Sequence, residues 1–507
     1  MLFLIALLAC QPHPVPVADS VSDVPGHLVI AHTNDTHAHF EPNRAGWISG
    51  APDIGGFAEI AGVVSALHAE EGDDHVLYLD GGDIMTGTPL MEFEARGVRG
   101  GAMLDFMETA GLDAWVLGNH EFDIGLEHIS GVVNASRIPV LSANLDALDG
   151  TGAPGILGLQ DHTIFERNGL KVGVFGLTTA SLGRLTASGA AEGLRVRSVI
   201  DAAREQVATL EPRVDLVVAL THIGLDMDRT LAQQVDGIDL IVGGHSHTPL
   251  TSPVKESNTW IVQAGCYSRQ LGITEMIVED GRITTFSAEL RDLIPGSTPV
   301  HQASADLARI WTERIDAHFS IVVGQLEGGN LDRPQVPETP LGRWAADTLR
   351  HAAKTDLGVY NPGGLRADLI AGPITRGAFY NVFPFGNAVV HFELTGAELI
   401  GLLIRNATSE ISAKHPVMQL SGVTAQWRTR VGVPELVEVR VGGALLDPAA
   451  TYTMATNSYI AAQWKYNLGF DPGELVEIGM TAYEAAIARA GEGNISPPTD
   501  ARMLRVD

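Results

Sequence analysis

Between residues 26 and 291 the chain repeats one device, an apolar run of strand length that ends in a cluster of polar, ligand-forming residues. His27-Leu28-Val29-Ile30-Ala31 leads into Asn34-Asp35-Thr36-His37, and Val76-Leu77-Tyr78-Leu79 leads into Gly81-Gly82-Asp83. Trp115-Val116-Leu117 leads into Gly118-Asn119-His120, and Leu216-Val217-Val218-Ala219-Leu220 into Thr221-His222. Ile238-Asp239-Leu240-Ile241-Val242 runs into Gly243-Gly244-His245-Ser246-His247. Unbroken apolar runs are what strands need when both of their faces are covered. Helical patterns lie between them, at 56–69 and 199–210. Strands alternating with helices predict a layered α/β sandwich, and in such folds ligands collect beyond the strand ends. Clusters far apart in sequence are therefore expected to converge on one site.

The pattern changes after residue 291. Pro295-Gly296-Ser297-Thr298-Pro299 is turn-rich, and 304–318 reads as a helix. A second α/β stretch follows, with strand-like runs at 357–360 and 388–392 and helical ones at 341–352 and 397–406. The expected organisation is a first domain at 27–300, a helical linker at 301–321 and a second domain at 322–507. No short-period repeat or long low-complexity tract interrupts it.

Composition adds limits. At 507 residues the chain exceeds what one core supports. No apolar run reaches the roughly 20 residues that span a bilayer. A formal net charge of −28 excludes nucleic-acid polymers as partners, and an anionic small molecule needs locally placed cations. The two cysteines, Cys10 and Cys266, are too few for a disulfide framework. Cys266, after Ile261-Val262-Gln263-Ala264-Gly265, reads as a small core hydrophobe at a buried strand end. Leu7-Leu8-Ala9-Cys10 closes a short apolar run and resembles a bacterial lipobox. Residues 11–26 hold four prolines and read as a tether. These features imply an exported periplasmic or cell-surface lipoprotein anchored through Cys10, touching membrane only through that lipid.

The ligand-forming residues are Asp35, His37, Asp83, Asn119, His222, His245 and His247. Imidazole and carboxylate without thiolate suit Mn, Zn, Co or Fe and do not choose among them. Asp-x-His and His-x-His allow neighbouring donors to serve different ions, and a carboxylate such as Asp83 bridges two. Two ions about 3.5–4 Å apart polarise a phosphoryl group and stabilise its leaving oxygen. A closed structural metal site is disfavoured, since such sites are Cys-rich.

The motifs Asn34-Asp35-Thr36-His37, Gly82-Asp83, Gly118-Asn119-His120-Glu121-Phe122-Asp123, Thr221-His222 and Gly243-Gly244-His245-Ser246-His247 resemble, in order and context, the calcineurin-like metallophosphoesterases. Within them the chain is most similar to the bacterial 5′-nucleotidase and UDP-sugar hydrolase group. The resemblance implies two divalent ions. One is held by Asp35, His37, Asp83 and His247, and the other by Asp83, Asn119, His222 and His245. His120, paired with Asp123, contacts the phosphate. His32 and His39 read as packing residues or as supports behind the ligands, not as ligands, and Asn144 organises a loop near the site.

The second domain carries Asn361-Pro362-Gly363-Gly364-Leu365-Arg366 and Val382-Phe383-Pro384-Phe385-Gly386-Asn387, which look like the 5′-nucleotidase C-terminal domain. Glycines let backbone approach a ligand and Arg366 offers a forked cation suited to phosphate. The resemblance makes Asn361, Gly363, Gly364, Arg366, Phe385, Asn387 and Tyr459 the substrate contacts, with Phe385 on one face of a base and Phe383 in the core. Two departures stand out. Further phosphate-binding arginines reduce here to Arg333 and Arg343, beside Leu331 and Gln335, and Ala462-Gln463-Trp464-Lys465-Tyr466 replaces a Gly-Gly-Asp-Gly loop. The implied activity is two-metal hydrolysis of phosphate esters outside the cytoplasm, with nucleoside 5′-monophosphates, and UDP-sugars, as substrates. A 2′,3′-cyclic phosphodiesterase, a non-nucleotide phosphoesterase and a non-catalytic nucleotide-binding lipoprotein stay as alternatives, and the oligomeric state is open.

Overall fold

The computed structural model describes residues 24–45, 52–147, 158–182, 193–333, 338–412 and 416–507. The expected signal with Cys10, most of the tether, and Gln335 lie outside these residues. Among the described residues no helix is long and apolar enough to cross a membrane.

The apolar runs of the first half form two six-stranded sheets. The first contains β1 (His27–Thr33), β2 (Val76–Asp80), β3 (Ala114–Val116) and β4 (Val140–Leu141). The second contains β5 (His162–Arg167), β6 (Leu170–Thr178), β7 (Leu216–His222), β8 (Leu240–Val242), β9 (Val254–Glu256) and β10 (Thr259–Val262). The hairpin β11 (Gln270–Glu279) and β12 (Arg282–Asp292) completes the first sheet, in the order β12-β11-β1-β2-β3-β4. The second sheet runs β5-β6-β7-β8-β10-β9. Central strands are parallel: Val29 pairs with Val76, and Val218 with Leu240. The hairpins at the edges are antiparallel.

Alternation along β1 explains its unbroken apolar run. Leu28 and Ile30 point into the space between the sheets, where they meet Leu77, Val116, Val218 and Val242. Val29 and Ala31 point outward, against α1 (Phe57–Glu71). The outer face of the second sheet is covered by α2 (Val199–Leu210) and α3 (Leu225–Gln234). Burial on both faces selects the apolar runs, and polar residues return only where the strands stop.

The second half is a smaller α/β unit around a five-stranded sheet. Its strands are β13 (Leu357–Tyr360), β14 (Ala388–Thr395), β15 (Gln419–Ser421), β16 (Thr451–Asn457) and β17 (Val476–Thr481). Helix α4 (Gln302–Phe319) joins the halves. Phe93 of the first half packs on α4, with ring centroids 6.1 Å from Trp311 and 6.3 Å from Phe319. Phe319 in turn lies 5.2 Å from Tyr380 of the second half, so one apolar core runs through the joint. Two α/β domains are what the hydrophobic pattern predicts.

Candidate metal centre

Each ligand-forming cluster begins where a parallel strand ends, and the chain turns there in an unusual way. Asp35, His37, Asp83, His245 and His247 all have positive φ, at 51°, 49°, 55°, 76° and 53°. Left-handed backbone is strained for residues with a Cβ and persists where the surroundings fix it. Asn34 supplies part of that fixing. Its Nδ2 donates to Asp35 Oδ2 at 2.6 Å and to Gly265 O at 2.7 Å, and its Oδ1 accepts Ala264 N at 2.7 Å. Buried Glu121 joins two more loops, accepting Gly118 N at 2.7 Å, Met85 N at 3.1 Å and Asp83 N at 3.2 Å. The two sheets meet at Gly244, where an added Cβ would lie 2.5 Å from Gly81 O. Only glycine allows that approach.

The turns bring six of the seven candidates together around Asp83, and Asn119 immediately precedes His120, whose N bonds Asp83. Asp35, His37 and His247 form one group of donor atoms, and Asp83, His222 and His245 form another. A third group, His37, Asp83 and His120, links them. His247 Nε2 is 3.3 Å from Asp35 Oδ1, and His222 Nε2 is 3.1 Å from Asp83 Oδ2. His-x-His is thus divided between groups, whereas Asp-x-His falls within one.

The chemistry of these atoms fits cations. His37 Nδ1 donates to Thr86 O at 3.0 Å and His222 Nδ1 to Gly81 O at 2.7 Å, which leaves both Nε2 lone pairs facing the cluster. His37 Nε2 faces His247 Nε2 at 3.1 Å. Asn119 Oδ1 is buried with no hydrogen-bond partner, and Asp35 Oδ1 is buried against His247 Nε2 at 3.3 Å. A buried acceptor without a donor, and carboxylates crowded by imidazole nitrogens, leave lone pairs that a cation would satisfy. Burial holds His37 and His245 low, whereas the carboxylates beside His222 and His120 prevail. Burial pulls His222 down, but Asp83 outweighs it and lifts the ring to about 10. Burial also opposes charge on His120, yet the Asp123 carboxylate, 2.7 Å from Nδ1, raises it to about 9. His120 N donates to Asp83 Oδ1 at 2.8 Å, and its ring stands 5.0 Å from that of His37.

In the second half, strand register gathers the remaining candidates at one sheet edge. β14 and β16 pair antiparallel with Val389 opposite Asn457, so Phe385 and Tyr459 leave from the same end. β13 runs parallel to β16, which delivers Asn361 there too, and Asn457 Nδ2 donates to Asn361 Oδ1 at 3.2 Å. Arg366 is exposed and its Nη1 donates to Gly363 O at 3.3 Å, while its N donates to Val382 O at 3.0 Å. Gly363 is exposed, Gly364 is buried, and Asn387 O accepts Ala482 N at 3.1 Å. Phe385 and Tyr459 are 44% and 46% exposed, whereas Phe383 is 2% exposed. A short helix, Trp464–Asn467, occupies the stretch after Tyr459, tied by Arg405 Nη2 to Lys465 O at 3.1 Å and Tyr466 O at 2.7 Å.

Residues 28–249 match the family model described as calcineurin-like phosphoesterase, and residues 322–466 match the 5′-nucleotidase C-terminal domain. The chain belongs to the metallophosphoesterases that carry a 5′-nucleotidase C-terminal domain. It is a metal-dependent phosphoester hydrolase whose centre takes two divalent ions. The chain is 29% identical to a 5′-nucleotidase of Vibrio cholerae, over 86% of this chain and 84% of that protein. It is 26% identical to the trifunctional nucleotide phosphoesterase protein YfkN of Bacillus subtilis over 97% of this chain, but spans only 36% of that protein. A crystal structure of a 5′-nucleotidase precursor from Thermus thermophilus superposes with a TM-score of 0.68 at 27% identity, covering 95% of this chain and 99% of that one.

Some placements differ from the sequence reading. Strand β10 ends at Val262, and Cys266 lies half-buried on the following turn, within hydrogen-bonding reach of His247, not in the core. Arg343 turns into the domain, 3.6 Å from Glu338 and donating to Pro498 O, which removes it from the phosphate candidates. Arg333 stays exposed, its Nη1 3.3 Å from Arg366 O. His32 packs beneath Gly272, where a Cβ would meet its Nε2 at 2.0 Å, and His39 bonds Asn43 and packs on Tyr267. Asn144 ties its loop to Thr178 through two 2.8 Å bonds. Glu121 was visible in sequence only as the residue after His120.

Proposed function

We propose that the chain releases phosphate from nucleoside 5′-monophosphates outside the cytoplasm. In this reading residues 27–300 carry the metal centre, 301–321 the linker and 322–507 the substrate platform. The observation that carries the reading is the pair of donor groups, Asp35-His37-His247 and Asp83-His222-His245, linked by the group His37-Asp83-His120, with Asp123 bonded to His120. One ion is assigned to Asp35, His37, Asp83 and His247, the other to Asp83, Asn119, His222 and His245. When bound, two ions polarise the phosphoryl group and activate water for in-line displacement. The protein's own groups supply the rest. Asp123 fixes the His120 ring and favours its charged form, so His120 Nε2 donates a hydrogen bond to the phosphoryl group. Arg366 binds phosphate, Asn361, Gly363, Gly364 and Asn387 shape the loops around it, and Phe385 and Tyr459 stack on the base.

A cavity of about 370 Å³ opens where the two domains and the linker helix meet. It is lined by His39 and Thr88 of the first domain, Ile315 of α4, and Tyr380 and Pro384 of the second. It therefore adjoins the loop that follows His37 on one side and Pro384, the residue before Phe385, on the other. Cys10, as a lipidated residue, places the enzyme on the outer side of a membrane.

The test is phosphate release by the protein lacking residues 1–25, with nucleoside 5′-monophosphates, a UDP-sugar, a cyclic nucleotide and an aryl phosphate. Each is assayed with chelator and with added Mn²⁺. Chelator-sensitive preference for 5′-monophosphates, lost in His120→Ala, is the expected result. Turnover of the aryl or cyclic ester alone overturns the nucleotide reading and leaves the metal centre standing.

A further inference from the structure

The His-x-His turn is held from behind by a residue outside the ligand set. Gln263 follows β10 and is 1% exposed. Its Nε2 donates to Gly244 O at 2.9 Å, and its Oε1 accepts Thr248 N at 2.6 Å and Ser246 Oγ at 2.9 Å. Three bonds from one amide thus span residues 244 to 248, the turn whose two histidines have φ of 76° and 53°. The amide fits closely against the base of that turn. A Cβ at Gly243 would lie 3.2 Å from Gln263 Nε2 and 2.5 Å from Asp228 Oδ2.

We propose that Gln263 is a positioning residue for both metal ions. It braces the left-handed turn that carries His245 to the Asp83 and His222 group, and His247 to the Asp35 and His37 group. Left-handed backbone at a histidine relaxes to negative φ when its restraints are removed, and that rotation swings the ring. His247 Nε2 sits 3.3 Å from Asp35 Oδ1, and a shift of about 1 Å takes it out of a shared coordination shell. Because Gln263 bonds the chain before, between and after the two histidines, its loss disturbs both. The inference rests on the ligand assignment proposed above.

The experiment titrates Mn²⁺ into metal-stripped full-length protein, following affinity and stoichiometry by calorimetry and folding by circular dichroism. Gln263→Met keeps similar bulk and removes all three bonds. It is expected to weaken both binding events about 10- to 100-fold, the usual effect of removing a group that orients metal ligands. His247→Ala is expected to weaken one event only. Gln263→Glu keeps the two bonds accepted by Oε1 and loses the donor to Gly244, so it weakens both by a smaller factor. A folded Gln263→Met protein that binds two Mn²⁺ with wild-type affinity, or weakens one event alone, overturns the proposal even where its melting temperature falls. Should Gln263→Met not fold, unchanged affinities in Gln263→Glu overturn it. Absence of Mn²⁺ binding by the wild type overturns the ligand assignment itself, a result distinct from the others.

Discussion

Phe383 and Phe385 are two residues apart and face opposite fates, which makes them a test of the substrate platform. Phe383 is 2% exposed, with its ring 5.8 Å from Tyr360 and 6.4 Å from Trp344. Truncating such a buried aromatic to alanine costs about 3–5 kcal/mol of stability through lost burial and the cavity left behind. Phe385 is 44% exposed, and its truncation is expected to cost no more than about 0.5 kcal/mol. Stacking on a base contributes about 1–3 kcal/mol per aromatic contact. In the proposed function Phe385 covers one face of the base and Tyr459 the other, so about 1–2 kcal/mol is assigned to each ring. Phe385→Ala then raises KM for a nucleoside 5′-monophosphate about 5- to 30-fold. The same change leaves KM for ribose 5-phosphate, which has no base, unaltered. The assay pairs initial rates of phosphate release on both substrates with urea unfolding of both variants. An equal rise in KM for the two substrates, or a stability loss in Phe385→Ala matching that of Phe383→Ala, refutes the reasoning.

Other outcomes follow from the centre and its frame. Asp123→Asn keeps an acceptor for His120 Nδ1 but removes the charge that holds the ring up near 9. A charged His120 is lost as pH rises through its pKa, so the alkaline limb of kcat moves to lower pH, by about one unit. Bound cations shift both enzymes alike, and superimposable pH profiles from 6 to 10 would sink the assignment. Gly244→Ala forces a Cβ to within 2.5 Å of Gly81 O and 3.0 Å of His222 Nδ1. Pushing the two sheet ends apart is expected to lower kcat at least about 100-fold while circular dichroism stays native. Far from the centre, burial raises Asp239 to about 6, partly offset by the bond from Val217 N. A raised carboxyl stabilises the fold below its unfolded pKa and loses that contribution as pH climbs from about 4 to 6. Asp239→Asn is therefore expected to gain about 1–2 kcal/mol over wild type at pH 8 and almost nothing at pH 4, read from urea midpoints.

The strands that carry the ligands were legible because burial on both faces writes an unbroken apolar run, as in β1, β7 and β8. β4, only Val140–Leu141, leaves no such trace. Pairing the runs into two facing sheets depends on which side chains share the inner layer, and sequence spacing does not encode that. The residue types at the centre were equally legible, but the backbone that aims them was not, since Asp35 and His247 carry a Cβ and adopt left-handed φ only under restraint. The restraints leave no mark in the sequence for one reason. Glu121 and Gln263 bond mainly to main-chain atoms of distant loops, and a main-chain partner has no signature in sequence. The apolar run before Cys266 predicts a longer strand, whereas Gly265, Tyr267 and Ser268 all turn at positive φ.

The aromatic joint at α4 limits how the two halves can be traded as parts. Phe93 belongs to one half by sequence, yet its ring meets Trp311, His318 and Phe319 of the connecting helix, and Arg314 lies over it at 5.3 Å. A chimaera that swaps the second half for a relative's must therefore carry α4 with whichever half supplies the surface around Phe93. Cutting at the turn before α4 would strip the first half of its cover and leave Trp311 facing water.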